Sequence, residues 1–126
     1  SSLFKEDVKA YLDEQNIIYT PQFIAKGSTG IEFNFDFQIA GRNKELVIKS
    51  FNSLNKINVP NFLFGWDDIK PAREKISGKE LMGLAIVNNI DKETKQEYLE
   101  ALESKGSKII LWDQRHQQSM IEKLVA

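Results

Sequence analysis

Two charged residues carry the chemical interest of this sequence, Asp36 and Lys49. Asp36 lies within a stretch where Ile31, Phe33, Phe35, Phe37 and Ile39 alternate with Glu32, Asn34, Asp36 and Gln38. Strict period two marks a strand with one apolar and one polar face. Gly41-Arg42-Asn43-Lys44 is turn chemistry, and Glu45–Phe51 (ELVIKSF) reads as the return strand of a hairpin. A loop of two or four residues gives the same register, with Ala40 opposite Glu45, Ile39 opposite Leu46 and Phe37 opposite Ile48. That register sets Asp36 directly across from Lys49, and a one-residue slip would reverse the faces. A carboxylate beside an ammonium, both facing solvent, reads as a cross-strand ion pair worth about 0.2–1 kcal/mol, or as the polar corner of a site.

Other groups offer less. His116 is the single histidine and cysteine is absent, so a transition-metal site lacks ligands. Gly27-Ser28-Thr29-Gly30 has neither Walker spacing nor a following Gly-Lys-Ser/Thr and reads as a turn. Asp67 and Asp68 read as helix caps, and Trp66 and Trp112 as core or rim aromatics rather than base-stacking platforms.

The elements that must position Asp36 and Lys49 follow from periodicity. Phe4, Val8, Tyr11 and Leu12 form one face of an amphipathic helix that Ser1 or Ser2 could cap. Ile17, Ile18 and Tyr19 suit a strand before Thr20-Pro21. After the hairpin, Asn52–Asn61 is a polar connection. A helix then runs from the Asp67-Asp68 cap to Gly78, with Ile69, Ala72, Arg73 and Ile76 on one stripe and Pro71 in its first turn. Leu81–Val87 is a continuous apolar strand of the kind that is covered on both faces. Asp91 caps a helix ending at Gly106, Lys108–Trp112 is another buried strand, and Asp113 caps a last helix with Met120, Ile121, Leu124 and Val125 on one side. The second half is therefore a β-α-β unit with parallel strands. The expected fold class is α/β (α+β): a mixed central sheet holding an antiparallel hairpin and a parallel βαβ unit, with helices on both faces.

Composition bounds the function classes. The 126 residues, 41% hydrophobic and 28% charged, suit a single domain over 1–126. The Ser1-Ser2 start without Met reads as a processed chain or one excised from a longer protein. Without cysteine there is no disulfide scaffold, thiolate metal site or cysteine nucleophile, and a cytoplasmic, intracellular setting is the expectation. No apolar run approaches the roughly 18–20 residues of a membrane span. With 17 Lys+Arg against 18 Asp+Glu, the net charge of -1 gives no global field for nucleic acid, so any such contact must be local.

The order of elements, with Asp36 in FNFDFQI and Lys49 in ELVIK, resembles the PD-(D/E)XK (restriction-endonuclease-like) superfamily. That core is a helix, a three-stranded meander, a helix and a further strand, with an acid on the second strand followed across a turn by acid-x-Lys. The resemblance implies a nuclease-like domain hydrolysing DNA phosphodiesters with Mg²⁺. Asp36 would be catalytic and a metal ligand, and Lys49 the electrostatic stabiliser. The position two residues before the lysine, where the pattern asks for an acid, holds Val47. Glu32 and Glu45 lie four residues from Asp36 and Lys49 along their strands, roughly 13 Å, too far to share one ion. Glu6 or Glu14 of the first helix, and Asp67 or Asp68, remain the candidates for a second acid.

The text from FLFGWDDI through KIILW is also similar to small uncharacterised domains of prophages and other mobile elements. Two alternatives stand beside the nuclease. One is a catalytically inactive nuclease-fold module that binds protein, as an immunity, antitoxin or regulatory unit. The other is a flavodoxin-like binding domain, with every strand parallel and no hairpin. The expected partners are DNA through a local site, or a protein partner or parent chain, and no membrane.

Overall fold

The first helix, α1 (Ser2–Glu14), buries the expected stripe of Phe4, Val8, Tyr11 and Leu12. The computed structural model describes residues 2–126, and the cap read at Ser1 or Ser2 lies outside the described residues and side chains. Five strands follow: β1 (Thr20–Lys26), β2 (Glu32–Ala40), β3 (Lys44–Phe51), β4 (Glu80–Val87) and β5 (Lys108–Leu111), forming one sheet in the order β1-β2-β3-β4-β5. β1–β2 and β2–β3 pair antiparallel, while β3–β4 and β4–β5 pair parallel through α2 (Asn58–Ser77) and α3 (Gln96–Ser104). The fold class is thus mixed α/β, as expected. The antiparallel β2–β3 hairpin overturns the flavodoxin-like alternative, which required every strand to run parallel.

Each face of the sheet has its own core. Phe37, Ile39, Leu46, Ile48, Leu84 and Ile86 pack under α1 and the C-terminal turns. Phe35, Val47, Phe62, Trp66, Ile69 and Leu102 pack between the sheet and α2–α3. Burial on both sides is why β4 is apolar at nearly every position.

The hairpin register is as read from the alternation: Phe37↔Ile48, Ile39↔Leu46 and Ala40↔Glu45. The single apolar face expected for β2 is not. Phe37 and Ile39 join the α1-side core, whereas Phe33 and Phe35 join the α2-side core. The strand changes face at Asp36, where its pairing with β3 stops. On the other flank, the β1 register places Gln22 between the Pro21↔Phe37 and Phe23↔Phe35 pairs, at a φ of 52°. A glutamine in the left-handed region marks a local bend in the sheet.

Several boundaries differ from the expectation. The first strand begins at Thr20 and includes Pro21, which an edge strand tolerates. α2 starts at Asn58 instead of Asp67, so Asp67 and Asp68 lie inside it and Pro71 is interior. The side chain that closes its N-terminal turn is Asn55, whose Oδ1 accepts the N–H groups of Ile57 and Asn58. Gly78, in the left-handed region, ends the helix as expected. α3 begins at Gln96, and Asp91 instead accepts a hydrogen bond from Asn88 Nδ2 at 3.0 Å. The last helix breaks into a 3-10 turn (Trp112–Gln114), α4 (Gln118–Ile121) and a second 3-10 turn (Glu122–Leu124). Asp113 caps none of these and pairs with Asn89 in both directions. Leu124 is buried, but Val125 is exposed.

α2 is tied to β4 by Glu74, whose Oε2 accepts from Lys70 Nζ at 2.6 Å and from the Leu81 N–H at 2.8 Å. The Lys70 hydrogen bond, and then that from Leu81, holds the Glu74 carboxyl below its usual range. A lowered folded value contributes stability above the unfolded pKa of about 4.3 and loses it as pH falls through the folded one. Glu74→Gln is therefore expected to be less stable than wild type at neutral pH. The gap should close in the acid range below about pH 4, as read from urea midpoints across pH. A gap that stays constant would contradict this coupling.

Candidate functional site

Asp36 and Lys49 do come together. β2 and β3 place Lys49 Nζ 3.7 Å from Asp36 Oδ1, with the lysine side chain 37% exposed and the carboxylate 13%. Where the β2–β3 ladder ends, the other carboxylate oxygen takes over: Asp36 Oδ2 accepts the Ser50 N–H at 2.7 Å. The aspartate is thus held at one oxygen by backbone and presents the other to the lysine.

The pair opens into a cavity of about 400 Å³ at the carboxyl end of β3, lined also by Lys5 of α1, Ser50, Asn52 and Asn58. Asn52 and Asn58 are fixed within the β3–α2 connection: Asn52 Oδ1 accepts from Asn88, and Asn58 Nδ2 donates to the Ser53 carbonyl. Ser50 Oγ is buried and, among the described residues, has no hydrogen-bond partner. A buried hydroxyl without a partner is uncommon and calls for a reason. A second cavity, of about 470 Å³, adjoins the first and shares Lys49 and Asn58 with it. Its walls are Phe33, Phe35, Phe62 and Phe64, with Asn34 and Asn61 at the rim.

The candidate second acids are placed elsewhere. Asp68 is buried and accepts from the Thr29 N–H and hydroxyl, pinning the Gly27–Gly30 turn to α2. Asp67 lines a separate cavity with Trp66 and Lys70. Glu6 is exposed on α1 and lines neither cavity beside Asp36. Glu14 accepts from or pairs with His116 Nε2 at 2.9 Å on the surface. Glu45 is buried against Arg73 and Gln38, and Val47 has no exposed surface. Among the described residues, no three His, Asp or Glu side chains gather as a metal-binding group. One carboxylate, half committed to a backbone N–H and half to an ammonium, does not fit the two-carboxylate corner that would hold Mg²⁺.

A family model described as "Domain of unknown function DUF1829" matches residues 27–115. The chain belongs to the DUF1829 family. The DUF1829 match takes in Asp36, Lys49, Ser50 and all four cavity phenylalanines, and leaves α1 with Lys5 outside. No curated protein matches the chain significantly. Two solved structures resemble it along nearly its whole length. The crystal structure of AF1548, a protein of unknown function, superposes with a TM-score of 0.63 at 16% identity over 95% of this chain. Protein VC1899 from Vibrio cholerae superposes with a TM-score of 0.53 at 13% identity over 97% of it. Identities this low show a shared fold. The DUF1829 chain spans 62% of the first protein and 30% of the second. Among the described residues, no helix is long and apolar enough to cross a membrane.

Of the site residues, sequence reasoning missed Lys5, Ser50 and Asn58. Lys5 lies one residue beyond Phe4 of the buried stripe, and Asn58 opens a helix that the sequence pattern starts only at Asp67-Asp68. Only the packing of α1 and α2 on opposite faces brings them to one cavity.

Proposed function

We propose that this chain is a nuclease-type domain that holds a nucleic-acid phosphate at Lys49 and does not cut it on a metal pair. The observation that carries this reading is the open Asp36–Lys49 corner with Val47 buried in the core beside it. Lys49 and Lys5 bring two cations to the cavity against one carboxylate, and a phosphodiester there would gain charge-assisted hydrogen bonds. Asp36 keeps the end of β3 in place through the Ser50 N–H. Its negative charge works against the phosphate. With a net charge of -1 the domain has no broad basic face, so affinity is local and modest.

The sign of the Asp36 effect tests the reading. Binding of a labelled DNA strand at low salt is followed by fluorescence anisotropy. Lys49→Ala should weaken it and lower the slope of log K against log salt by about 1. Asp36→Asn, which keeps an acceptor for the Ser50 N–H, should bind the strand as tightly as wild type or more tightly. The opposite pattern would overturn the reading: saturable Mg²⁺ uptake, with Mg²⁺-dependent cleavage abolished in Asp36→Asn.

A further inference from the structure

We infer that the phenylalanine-walled cavity beside Lys49 receives an unstacked base of a single-stranded nucleic acid whose phosphate lies in the adjoining polar cavity. This rests on the phosphate reading above and adds a base to it. The two cavities meet at Lys49 and Asn58, so a cation stands where phosphate and base would join.

The aromatic wall is built in a way the core does not require. Phe64 projects from α2 and is 52% exposed, its ring 5.7 Å from that of Phe33 in an edge arrangement. Gly65, next along the helix, makes room for this. A Cβ there would meet the Phe33 ring at 2.8 Å, so the absence of a side chain lets Phe33 lie against the helix. Phe35 and Phe62 close the floor, their rings 6.2 Å apart. At the rim, the exposed amides of Asn34 and Asn61 carry both donors and acceptors, the functions needed at a base edge. Ser50 lines the neighbouring cavity, and its buried hydroxyl has no hydrogen-bond partner among the described residues.

The chemistry selects a single strand. A base in a duplex is stacked on both sides and cannot enter a cavity, whereas a single strand can splay its bases onto aromatic side chains. A domain with no broad positive field also needs a source of affinity other than charge, and stacking supplies one that salt does not screen.

The test compares a labelled 12-nucleotide single strand with an abasic strand of equal length, which keeps the phosphates and lacks the bases. The single strand should bind more tightly by roughly five- to 150-fold, the range for one stacked base. Phe64→Ala should remove that difference and leave abasic binding unchanged. Phe64 is half exposed, so truncation spares the fold. As a second readout, Phe64→Trp should bind like wild type, its fluorescence changing with the single strand and not with the abasic one. Equal binding of both strands by wild type, or a difference that survives Phe64→Ala, overturns the base site while leaving the phosphate reading intact. No binding of either strand overturns both.

Discussion

Arg73→Met is expected to destabilise the domain by about 3–5 kcal/mol, the cost of leaving a buried charge without its partner. Arg73 reaches from α2 to β3, its Nη2 2.6 Å and its Nε 3.2 Å from the two oxygens of Glu45. Glu45 is 3% exposed, and Gln38 Nε2 donates to the same carboxylate at 2.7 Å. The guanidinium also lies 5.1 Å from the Phe23 ring centre, so one side chain ties α2 to β1 and β3. Methionine keeps most of the aliphatic stem and removes the charge. Against a total stability of about 5–15 kcal/mol, a loss on the order of 10–20 °C in Tm should follow. Adding Glu45→Gln should recover most of it, because a neutral amide needs no cation and still accepts from Gln38. Thermal and urea unfolding of the single and double variants measure this. A cost below about 1 kcal/mol for Arg73→Met would place the pair with ordinary exposed bridges and refute the account. The functional consequence is that the nearest β3 acid to Lys49 on its own face is already bound into the structure.

The sheet was far more legible than its surroundings, for a physical reason. Cross-strand parity is a rule of two, and an even turn between Ala40 and Glu45 leaves a single register. Asp36 and Lys49 could therefore be brought together from the alternation alone. The change of face at Asp36 was hidden because Phe33, Phe35, Phe37 and Ile39 are equally apolar whichever core receives them. The first half of α2 carried a usable signal, Val59, Phe62, Trp66 and Ile69 at i, i+3, i+7 and i+10. Pro60, Gly65 and the surrounding asparagines obscured it. Gly65 is costly in an isolated helix and is accepted here because Phe33 fills the space of its missing side chain. Pro71 removes one helical donor and is accepted in a helix whose Ile69 is fully buried against the sheet. Lys5 and Ser50 were out of reach because no local pattern links α1 to the end of β3. That approach is a product of tertiary packing.

Val47→Asp, which restores the acid that the nuclease pattern asks for, is expected to lose about 3–5 kcal/mol as an uncompensated buried charge and to gain no Mg²⁺ site. Glu45, Val47, Lys49 and Phe51 share one face of β3 by alternation, and each meets a different environment. Glu45 has Arg73, Lys49 opens into the two cavities, and Phe51 stacks at an edge on Phe62. Val47 has only the apolar α2-side cluster, with Gln38 opposite on β2 and Gly83 on β4. Across from it Gly83 has no side chain because Trp66 occupies that space, so neither water nor a cation has a route to the position. An aspartate there must either stay ionised without a partner or take up a proton. Melting with and without excess Mg²⁺ separates the outcomes, since an ion held by the native state alone raises stability by about 2.7 kcal/mol at a hundred times its Kd. A Tm equally depressed in both conditions is the expected result. A Mg²⁺-dependent rise that disappears on adding Asp36→Asn would mean that the two carboxylates meet at one ion. The site would then be a metal corner one substitution from completion, and holding phosphate without a metal would no longer explain it.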